Sequence, residues 1–460
     1  MSNMFSIAWD AWRATKGGAT AVSQRQQQRL TELMNFARQH SPYYKAHFQT
    51  VPTAFTDISQ LPPTTKPELM AHFNEWVTDT AVTLASAQKF VDNSNNLGQD
   101  YLGKYYIWTT SGTSGDPAIL LHDQQWFNVT SGLSMARVLP AWLNGKVMRG
   151  LMQNGARSAA IFATNGHFMG VSMAERQRQS NKRRQKQMRV FSVQTPIPEL
   201  VQQLNEFQPA ILSGYATVQD LLAREQLNGR LQIQPALVSS SGESLSTAMK
   251  ERIQTAWGVK VWDAYSSSET GVMAAECKHG RLHFNADWFI LEAVDADNQP
   301  VPAGQPSHKI LVTNLASHIQ PIIRYEMSDS VTFYEDRCPC GSPLPSLRVE
   351  GRTDETLAIP NTQGKMVYLL PLALGSALEK TPGVHRFQIV QTTPTTLCVR
   401  LEAAEGHEKL DVWTAVCAQL RTLLDNQDLS NVTIDLANEP PQRNERGGKL
   451  NHVISLVAAG

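Results

Sequence analysis

Residues 109–117 have the sequence Thr109-Thr110-Ser111-Gly112-Thr113-Ser114-Gly115-Asp116-Pro117, and the organisation of the whole chain follows from them. The β-prone residues 105–108 precede them and the apolar residues 118–121 follow, which predicts a strand, a flexible loop and a second strand. Such a loop suits a polyphosphate, because backbone amides that turn inward form a concave anion site and five hydroxyl groups add donors. It has neither the spacing of a Walker A loop nor that of a nucleophile elbow. An ordinary surface turn is the alternative.

The composition indicates a folded, neutral protein of two or three domains. The chain has 460 residues, 42% of them hydrophobic, and 41 basic side chains balance 41 acidic ones. A net charge of zero gives no overall field that would favour nucleic acid or an anionic membrane. Five cysteines argue against a disulfide scaffold. Because no signal peptide and no bilayer-spanning apolar run is visible, we expect a soluble cytoplasmic protein.

Secondary-structure patterns divide the chain into three parts. Residues 1–80 are mostly helical in pattern, with apolar positions at helical spacing from Gln24 to His40. From about Tyr105 to Ile290, short β-prone runs alternate with helical stretches, which is typical of an α/β domain. After Arg352 the pattern changes to short β-prone runs and one helix. We therefore expect a compact α+β domain at the C-terminal end.

Two polar turns that follow β-prone runs are candidates for a ligand site. The first is Ser240-Ser241-Gly242-Glu243-Ser244, and the second is Tyr265-Ser266-Ser267-Ser268-Glu269-Thr270-Gly271. Open α/β sheets bind ligands where their strands end in such turns. Glu269, beside hydroxyl residues, is a candidate Mg²⁺ ligand because magnesium prefers oxygen ligands. For either turn alone, an ordinary connection is the alternative.

A group of thiols with one histidine predicts a metal site. Cys277 and His283 are six residues apart, and Cys338-Pro339-Cys340-Gly341 follows about 55 residues later. Three thiolates and one imidazole can close a tetrahedral zinc site that has no open position for catalysis. His279 competes with His283 as the fourth ligand, and reduced cysteines without a metal are the alternative.

Three further charged residues are candidates for contacts with a nucleotide. Asp329 ends a β-prone run, and an Asp can accept both hydroxyls of a ribose. Arg352 lies in the turn-like sequence 351–354, and an Arg can pair with phosphate or carboxylate. Lys449 is flanked by glycines, so it could be moved into another site as a mobile point charge. Surface salt bridges and an exposed tail lysine are the alternatives.

Residues 176–189 form a basic run without an interleaved aromatic residue. Its seven basic side chains are Arg176, Arg178, Lys182, Arg183, Arg184, Lys186 and Arg189. A patch of this kind can contact RNA or the phosphates of a large cofactor. Since the chain as a whole is neutral, a solvated helix face is the favoured interpretation.

Taken together, these motifs resemble those of the adenylate-forming superfamily, and within it the phenylacetate–CoA ligase-like (CapK-like) branch. The ordered matches are TTSGTSGDP (109–117), SSGES (240–244), AYSSSETG (264–271), IIRYEMSD (322–329), GRTDE (351–355) and GGKL (447–450). The resemblance implies an α/β fold with a large N-terminal adenylate-forming domain, residues 1–351, made of mixed sheets flanked by helices. It also implies a small, mobile α+β C-terminal domain, residues 352–460, that carries the catalytic lysine.

The resemblance further implies a role for each matched residue. ATP would be held by Thr110, Ser111, Gly112, Thr113, Ser114 and Gly115 at the phosphates, by Ser241, Gly242, Glu243, Tyr265 and Ser266 around the adenine, by Asp329 at the ribose and by Arg352 at the hinge. Glu269 would ligate Mg²⁺. Lys449 would contact the carboxylate and the α-phosphate during adenylation.

The same resemblance extends to the metal and to the acid. Cys277, His283, Cys338 and Cys340 match a structural zinc site of that branch. The acid pocket is expected near His167, Phe168 and Tyr215, where aromatic and small residues suit a flat aryl acid. For His167, a structural histidine whose hydrogen bonds are satisfied by the protein is the alternative.

The implied activity is that of an AMP-forming acid–CoA ligase. An aryl or other small acid would react with Mg-ATP to give an acyl-adenylate, and CoA would then take the acyl group and release AMP. Transfer to an amine or to a carrier-protein thiol is the alternative among enzymes, and a zinc-stabilised nucleic-acid-binding protein is the alternative outside them. The expected cofactors are ATP, Mg²⁺, CoA and structural Zn²⁺, with no nucleic-acid or membrane partner. The sequence leaves open whether the protein forms a homodimer.

Overall fold

The computed structural model describes residues 3–52, 57–110, 117–164, 166–352, 356–369, 371–379, 381–443 and 450–457. The α-helices in these residues are α1 Met4–Lys16, α2 Gly18–His40, α3 Pro42–His47, α4 Lys66–Ala71, α5 Phe73–Trp76, α6 Leu84–Val91, α7 Gln124–Leu133, α8 Leu139–Trp142, α9 Gly145–Gln153, α10 Met169–Gln179, α11 Lys182–Gln187, α12 Ile197–Phe207, α13 Ala216–Leu227, α14 Thr247–Trp257, α15 Pro371–Glu379 and α16 Lys409–Asp425. Short 3₁₀-helices cover Ile58–Gln60 and Ser94–Asn96, and a π-helix covers Ser134–Val138.

The strands are β1 Tyr106–Thr109, β2 Ile119–His122, β3 Ser158–Phe162, β4 Met188–Ser192, β5 Ile211–Gly214, β6 Leu237–Ser241, β7 Val261–Ser267, β8 Gly271–Glu276, β9 Leu282–Phe284, β10 Phe289–Val294, β11 Lys309–Asn314, β12 Ile322–Met327, β13 Asp329–Phe333, β14 Ser346–Arg352, β15 Leu357–Pro360, β16 Met366–Leu369, β17 Val384–Thr393, β18 Thr396–Ala403, β19 Thr433–Leu436 and β20 Val453–Ser455. Helices and strands alternate from β3 to β7, as the sequence pattern predicted.

The largest sheet in the described residues has the order β13-β14-β9-β8-β7-β6-β5-β3-β4. The strands from β4 to β7 run parallel to their neighbours. From β8 to β13 the sheet continues with antiparallel strands. The polar turns predicted after β6 and β7 therefore leave the sheet beside the point where the strand direction changes. The predicted α/β class with mixed sheets is confirmed.

β1 and β2 form a separate antiparallel pair, in which Thr109 lies opposite Ile119. The strands predicted on both sides of the 109–117 loop are therefore confirmed. Trp108, Leu120 and Leu121 are almost completely buried, so this hairpin is part of the hydrophobic core. Residues 111–116 of the loop lie outside the described residues.

Two local features differ from the sequence-based expectation. β7 continues to Ser267 and β8 begins at Gly271, so the turn of the third motif is limited to residues 268–270. Gly271 has a φ of +77°, and a Cβ added to it would lie 2.6 Å from Trp126. Only glycine fits at this position, where the chain turns from β7 into β8. Gly351 and Arg352, predicted in a turn, are instead the last two residues of β14.

The C-terminal region builds its own sheet and core. The strands pair in the order β19-β18-β17-β20, with both parallel and antiparallel neighbours. Helix α16 contributes an apolar face at helical spacing, formed by Val412, Val416, Leu420 and Leu424, which belongs to a core cluster separate from those of the preceding residues. The predicted small α+β fold is confirmed, while the boundary between residues 351 and 352 stays a prediction.

The described residues 3–52 and 57–80 are mostly helical, as predicted, and α1 packs closely on α7. A Cβ added to Gly132 of α7 would lie 2.7 Å from the side chain of Ile7, so the absence of a side chain permits this approach. Arg137, in the π-helix, donates hydrogen bonds to both carboxylate oxygens of the fully buried Asp287 at 2.7 and 2.9 Å. Among the residues described, no helix combines the length and the apolar character needed to cross a membrane.

Candidate active site

A cavity of about 720 Å³ lies where the ends of β6, β7 and β12 meet the C-terminal region. It brings together most of the predicted nucleotide residues that the structure describes: Thr110, Gly242, Glu243, Tyr265, Ser266, Glu269, Asp329 and Arg352. Leu450, Asn451 and His452 line it from the C-terminal side. Ser241, the last residue of β6, is not among the lining residues. Ser111, Gly112, Thr113, Ser114, Gly115 and Lys449 lie outside the described residues, so their roles stay predictions.

Tyr265 and Asp329 meet in this cavity although 64 residues separate them. The Tyr265 hydroxyl donates a hydrogen bond of 2.8 Å to Oδ2 of Asp329. Burial and the neighbouring Asp329 carboxylate raise the pKa of Tyr265 well above its ordinary value, so the phenol stays a donor. Arg352 donates to the Ser328 hydroxyl at 2.8 Å, beside the same carboxylate. The Asp329 carboxylate is thus held by Tyr265, with Arg352 fixed next to it through Ser328.

Glu269 lies on the turn between β7 and β8 and also lines the cavity. The Tyr325 hydroxyl donates to Oε1 of Glu269 at 3.3 Å. Burial, followed by the nearby Glu269 charge, raises the pKa of Tyr325 well above its ordinary value. The long hydrogen bond leaves Glu269 with oxygen lone pairs for a cation, which is the chemistry expected of a magnesium ligand.

The turn that carries Glu269 is anchored to the β1–β2 hairpin. The carbonyl oxygen of Ser268 accepts from the Trp108 indole at 2.8 Å and from Nε2 of His122 at 3.2 Å. The Trp126 indole donates a hydrogen bond of 3.1 Å to the backbone carbonyl oxygen of Thr270. Burial lowers the pKa of His122 to about 3, so its ring is neutral. The base of the predicted phosphate loop and the predicted magnesium ligand therefore form one connected unit.

Glu243 follows Gly242, whose φ of +79° turns the chain away from β6. Oε2 of Glu243 accepts from both the backbone N–H and the hydroxyl of Thr217, at 2.9 and 2.8 Å. Its other oxygen, Oε1, is buried and has no hydrogen-bond partner among the described residues. A buried carboxylate oxygen without a partner is costly, so Glu243 is positioned to accept a hydrogen bond from a ligand.

The residues predicted for the acid pocket are not among the residues that line the cavity. Nε2 of His167 donates to the carbonyl oxygen of Asn93 at 3.2 Å, and burial lowers the pKa of His167. The backbone carbonyl of His167 accepts from Thr109 at 2.8 Å, and Phe168 bridges to Thr109. Tyr215 packs edge-on against Phe162, with ring centroids 5.4 Å apart, and burial raises its pKa to about 12. Their role in binding an acid stays a prediction.

Several lining residues were missed by the sequence analysis, notably Lys66, Lys250, Asp263 and His452. Asp263 is nearly buried, which raises the pKa of its carboxyl to about 6, and the ammonium of Lys250 lies 4.0 Å away. Burial lowers the pKa of His452 to about 4, and neither ring nitrogen has a hydrogen-bond partner among the residues that the structure describes. Asp263 lies two residues before Tyr265, and His452 lies three residues after Lys449, so their closeness to the motifs could have indicated both residues. No motif lies near Lys66 in the sequence, so nothing indicated that residue.

The thiol cluster is assembled as the sequence predicted. The ligand atoms of Cys277, His283, Cys338 and Cys340 all lie within 4.8 Å of one another. The sulfurs of Cys277 and Cys338 are 3.7 Å apart, and the Cys340 sulfur is 3.2 Å from Nε2 of His283. Zinc–sulfur bonds of about 2.3 Å at tetrahedral angles place two sulfurs about 3.8 Å apart. The observed sulfur separation fits such a centre and is too long for a disulfide.

The surroundings of the cluster also suit a metal. Nδ1 of His283 donates to the carbonyl oxygen of Leu344 at 3.0 Å, which leaves Nε2 as the ligand atom. Backbone N–H groups of His279 and Ser342 donate to the sulfurs of Cys277 and Cys340, each at 3.4 Å. His279, the competing candidate for the fourth ligand, therefore contributes a backbone N–H group to the cluster. The four residues Cys277, His283, Cys338 and Cys340 fit a tetrahedrally coordinated ion.

No family model matches the chain. The protein CapK of Staphylococcus aureus is 26% identical over 162 residues, which is 34% of this chain and 34% of CapK. The match therefore spans about a third of that relative.

The fold is similar to that of 2-hydroxyisobutyryl-CoA ligase. The crystal structure of that ligase in the postadenylation state matches with a TM-score of 0.67 and 20% identity, over 95% of this chain and 89% of the ligase. The structure in its thioesterification state, with 2-HIB-AMP and CoA, matches with a TM-score of 0.52 and 19% identity, over 94% and 90%. The chain therefore has the fold of that ligase, in agreement with the fold that the motifs predicted.

Proposed function

We propose that this protein activates a small carboxylic acid with ATP and then transfers the acyl group to a thiol, releasing AMP. The observation that carries the proposal is the cavity itself. Motifs that are up to 242 residues apart along the chain, from Thr110 to Arg352, line one cavity. They supply two carboxylates, those of Asp329 and Glu269, and the aromatic surface of Tyr265. Those are the groups that an adenine nucleotide with a metal-bound phosphate chain requires.

Asp329 is proposed to accept the two ribose hydroxyls. The hydrogen bond from Tyr265 fixes the carboxylate, and Asp329 lines the cavity; a carboxylate can accept both hydroxyls of a ribose. The adenine would lie between the Tyr265 ring and the backbone of Ser241, Gly242 and Glu243. The unpartnered oxygen of Glu243 supports this assignment, because an amino group can donate to it.

The phosphate chain is proposed to lie toward Glu269 and the loop 111–115. Glu269 would hold Mg²⁺, which when bound neutralises charge on the phosphates. Thr110 to Gly115 would donate backbone and hydroxyl hydrogen bonds to the β- and γ-phosphates, and Arg352 would support the nucleotide at the hinge. Lys449 would bring its ammonium to the carboxylate and the α-phosphate, where negative charge grows during reaction.

The reaction requires little covalent help from the protein. A carboxylate oxygen attacks the α-phosphorus, the new C(O)O–P bond forms, and the P–O bond to pyrophosphate breaks. A thiolate then attacks the acyl carbon, the C–S bond forms, and the C–O bond to AMP breaks. Positioning and charge neutralisation by the residues named above supply the catalysis.

Three finer assignments belong to the same proposal. An aryl acid is proposed as substrate, supported by the aromatic rings of Phe168 and Tyr215 beside β1 and β5. CoA is proposed as the thiol, supported by the similarity of fold to a CoA ligase. The division at residues 351 and 352 is proposed as a hinge. The higher TM-score with the postadenylation state than with the thioesterification state supports an adenylation arrangement of the two parts.

A structural Zn²⁺ ion is proposed for Cys277, His283, Cys338 and Cys340. The sulfur separation, the oriented imidazole and the N–H groups directed at two sulfurs support it. With all four positions taken by protein ligands, the ion would serve stability and not catalysis.

The test is pyrophosphate release from Mg-ATP across a panel of aryl and short aliphatic acids, with and without CoA. Acid-dependent release, followed by a CoA-dependent acyl thioester and AMP, is expected. Acid-dependent release without a thioester would remove CoA from the proposal and leave the adenylation. Absence of release over the whole panel, from folded protein supplied with zinc, would overturn the proposal.

A further inference from the structure

One buried side chain holds both ends of the segment that contains Lys449. The side chain is that of Gln388, in the middle of β17, and it is fully buried. Its Nε2 donates hydrogen bonds to the backbone carbonyl oxygens of Gln442, at 3.0 Å, and of Asn451, at 2.9 Å. Residues 444–449 lie outside the described residues, whereas both of these ends lie within them. We call residues 442–451 the lysine segment.

The amide group of Gln388 uses all of its hydrogen-bonding positions. Its Oε1 accepts from the backbone N–H of Gln442 at 3.3 Å and from the guanidinium of Arg400 at 2.7 Å. A glutamine amide has two N–H donors and two oxygen lone pairs, so none is left over. Replacing such a group leaves its buried polar partners without hydrogen bonds. Gln388 is therefore a specific anchor for the two ends of the lysine segment.

The C-terminal end of the lysine segment is fixed on β17 and also lines the cavity. The backbone N–H of Ile389 donates to the carbonyl oxygen of His452 at 2.8 Å, and the Phe387 ring lies 4.6 Å from the His452 ring. Leu450, Asn451 and His452 all line the cavity. The anchor on β17 therefore acts directly beside the proposed active site.

The strand β17 is also connected to a helix that lines the cavity. Arg224 of α13 donates to the carbonyl oxygen of Val384, the first residue of β17, at 3.1 Å. The Asp220 carboxylate orients Arg224 by accepting from its Nε at 3.1 Å. Thr217, in the first turn of α13, lines the cavity and donates to Glu243. These contacts hold β17, and with it the anchor, at a defined place relative to the cavity.

We infer that Gln388 is a positioning residue for adenylation, which holds the two ends of the lysine segment so that Lys449 reaches the α-phosphate. The inference rests on the proposed function, since that function assigns Lys449 to the α-phosphate. A cation accelerates the reaction only where negative charge develops, and a displacement of about 1 Å can cost about 100-fold in rate. Gln388 is not among the residues that line the cavity, so its contribution should pass entirely through Lys449.

The test compares Gln388→Leu with Gln391→Leu, a matched control on the same strand. Gln391 is buried to the same degree. Its side chain forms hydrogen bonds with Ala358, Pro394 and Ser455, none of which belongs to the lysine segment. Both replacements remove a buried amide group from β17, so a purely structural role predicts the same effect for both.

Gln388→Leu should lower acid-dependent pyrophosphate release about 10- to 100-fold, and Gln391→Leu should change it less than about twofold. In a Lys449→Ala background, Gln388→Leu should have no further effect, because residues that act as a unit are not additive. Equal rates for the two leucine variants, or the same loss with and without Lys449, would overturn the inference. If Gln388→Leu does not fold, Gln388→Glu takes its place, since it keeps the acceptor for Arg400 and loses both N–H donors.

A second measurement does not depend on the reaction. Trypsin cleaves after arginine, and Arg443 follows Gln442 directly and is partly buried. Cleavage after Arg443 should be at least about tenfold faster in Gln388→Leu than in Gln391→Leu, because the end of the segment opens locally. If this difference is found but no acid gives pyrophosphate release in the wild type, Gln388 holds the segment and the proposed reaction is what fails. Equal cleavage in the two variants would overturn the anchor whatever the activity.

Discussion

Replacing one ligand of the thiol cluster should remove a metal and destabilise the strands that carry the nucleotide site. Cys277 follows β8, and Cys338 and Cys340 lie between β13 and β14, the strands that hold Asp329 and Arg352. A bridge from Cys277 to Cys338 closes a loop of 61 residues. In the chain-entropy description used for cross-links, closing a loop of that length contributes about 4 kcal/mol to the free energy of unfolding.

The variant Cys340→Ser is the perturbation that tests this reasoning. We expect its zinc content to fall from about one ion per chain towards zero, and its unfolding midpoint to fall by roughly 4 °C, the shift that about 4 kcal/mol gives in a chain of this length. Zinc is measured with a chromophoric chelator after the thiols are blocked, and the midpoint by calorimetry.

The control variants are Cys398→Ser and Cys417→Ser, which remove the free thiols of the C-terminal region that lie outside the cluster. They should keep the zinc content and lower the midpoint by at most 1–2 °C, as expected of partly exposed sites. The reasoning is refuted if unchelated wild-type protein holds no zinc. It is also refuted if Cys340→Ser and the controls have the same midpoint.

Three further predictions concern the cavity and the core beneath it. Lys449→Ala should lower acid-dependent pyrophosphate release by about 100-fold or more while the exposed control Lys365→Ala changes nothing, because one preorganised charge contributes at that level; equal rates would remove Lys449 from the mechanism. Asp329→Ala should raise the KM for ATP roughly 100-fold with little change in kcat, since two hydrogen bonds to a charged group are lost, and Tyr265→Phe should raise it less; an unchanged KM contradicts the ribose assignment. Burial holds His122 neutral with a pKa of about 3 against an ordinary 6.5, so its stabilising contribution is complete above pH 6.5 and is lost as the pH falls toward 3. Urea unfolding between pH 7 and 5 should therefore show a steeper loss of stability, by up to about 1.4 kcal/mol per pH unit, in the wild type than in His122→Gln, and identical slopes would exclude His122 as the cause.

The parallel part of the large sheet could be predicted because its elements leave local signals. The β-prone run at 159–163 corresponds to β3, and Ser246 marks the start of α14 by accepting a hydrogen bond from the backbone N–H of Met249. A capping serine and a short buried strand are determined by neighbours in sequence. The antiparallel strands β9, β13 and β14 join the same sheet from segments far apart in sequence, and no local pattern indicates such pairing.

The parts of the candidate site that lie in sequence motifs could be predicted. The parts that come together only through tertiary folding could not. Tyr265 and Asp329 were singled out separately, yet their hydrogen bond follows from the tertiary fold, which brings residues 64 positions apart together. Lys66 lines the cavity because Thr64 bridges to Tyr325, a contact between residues 261 positions apart. His452 was overlooked because its ring nitrogens are unusual only once their burial is known.

The carbonyl oxygen of Ser268 has a consequence for how sequence variation in this protein should be interpreted. Trp108 and His122 are core residues by burial, and neither lines the cavity, yet both hold the backbone beside Glu269. A deep mutational scan scored by growth would therefore group these two positions with the motif residues. The same two positions would look tolerant in a screen for soluble expression if a bulky replacement filled the space without donating a hydrogen bond.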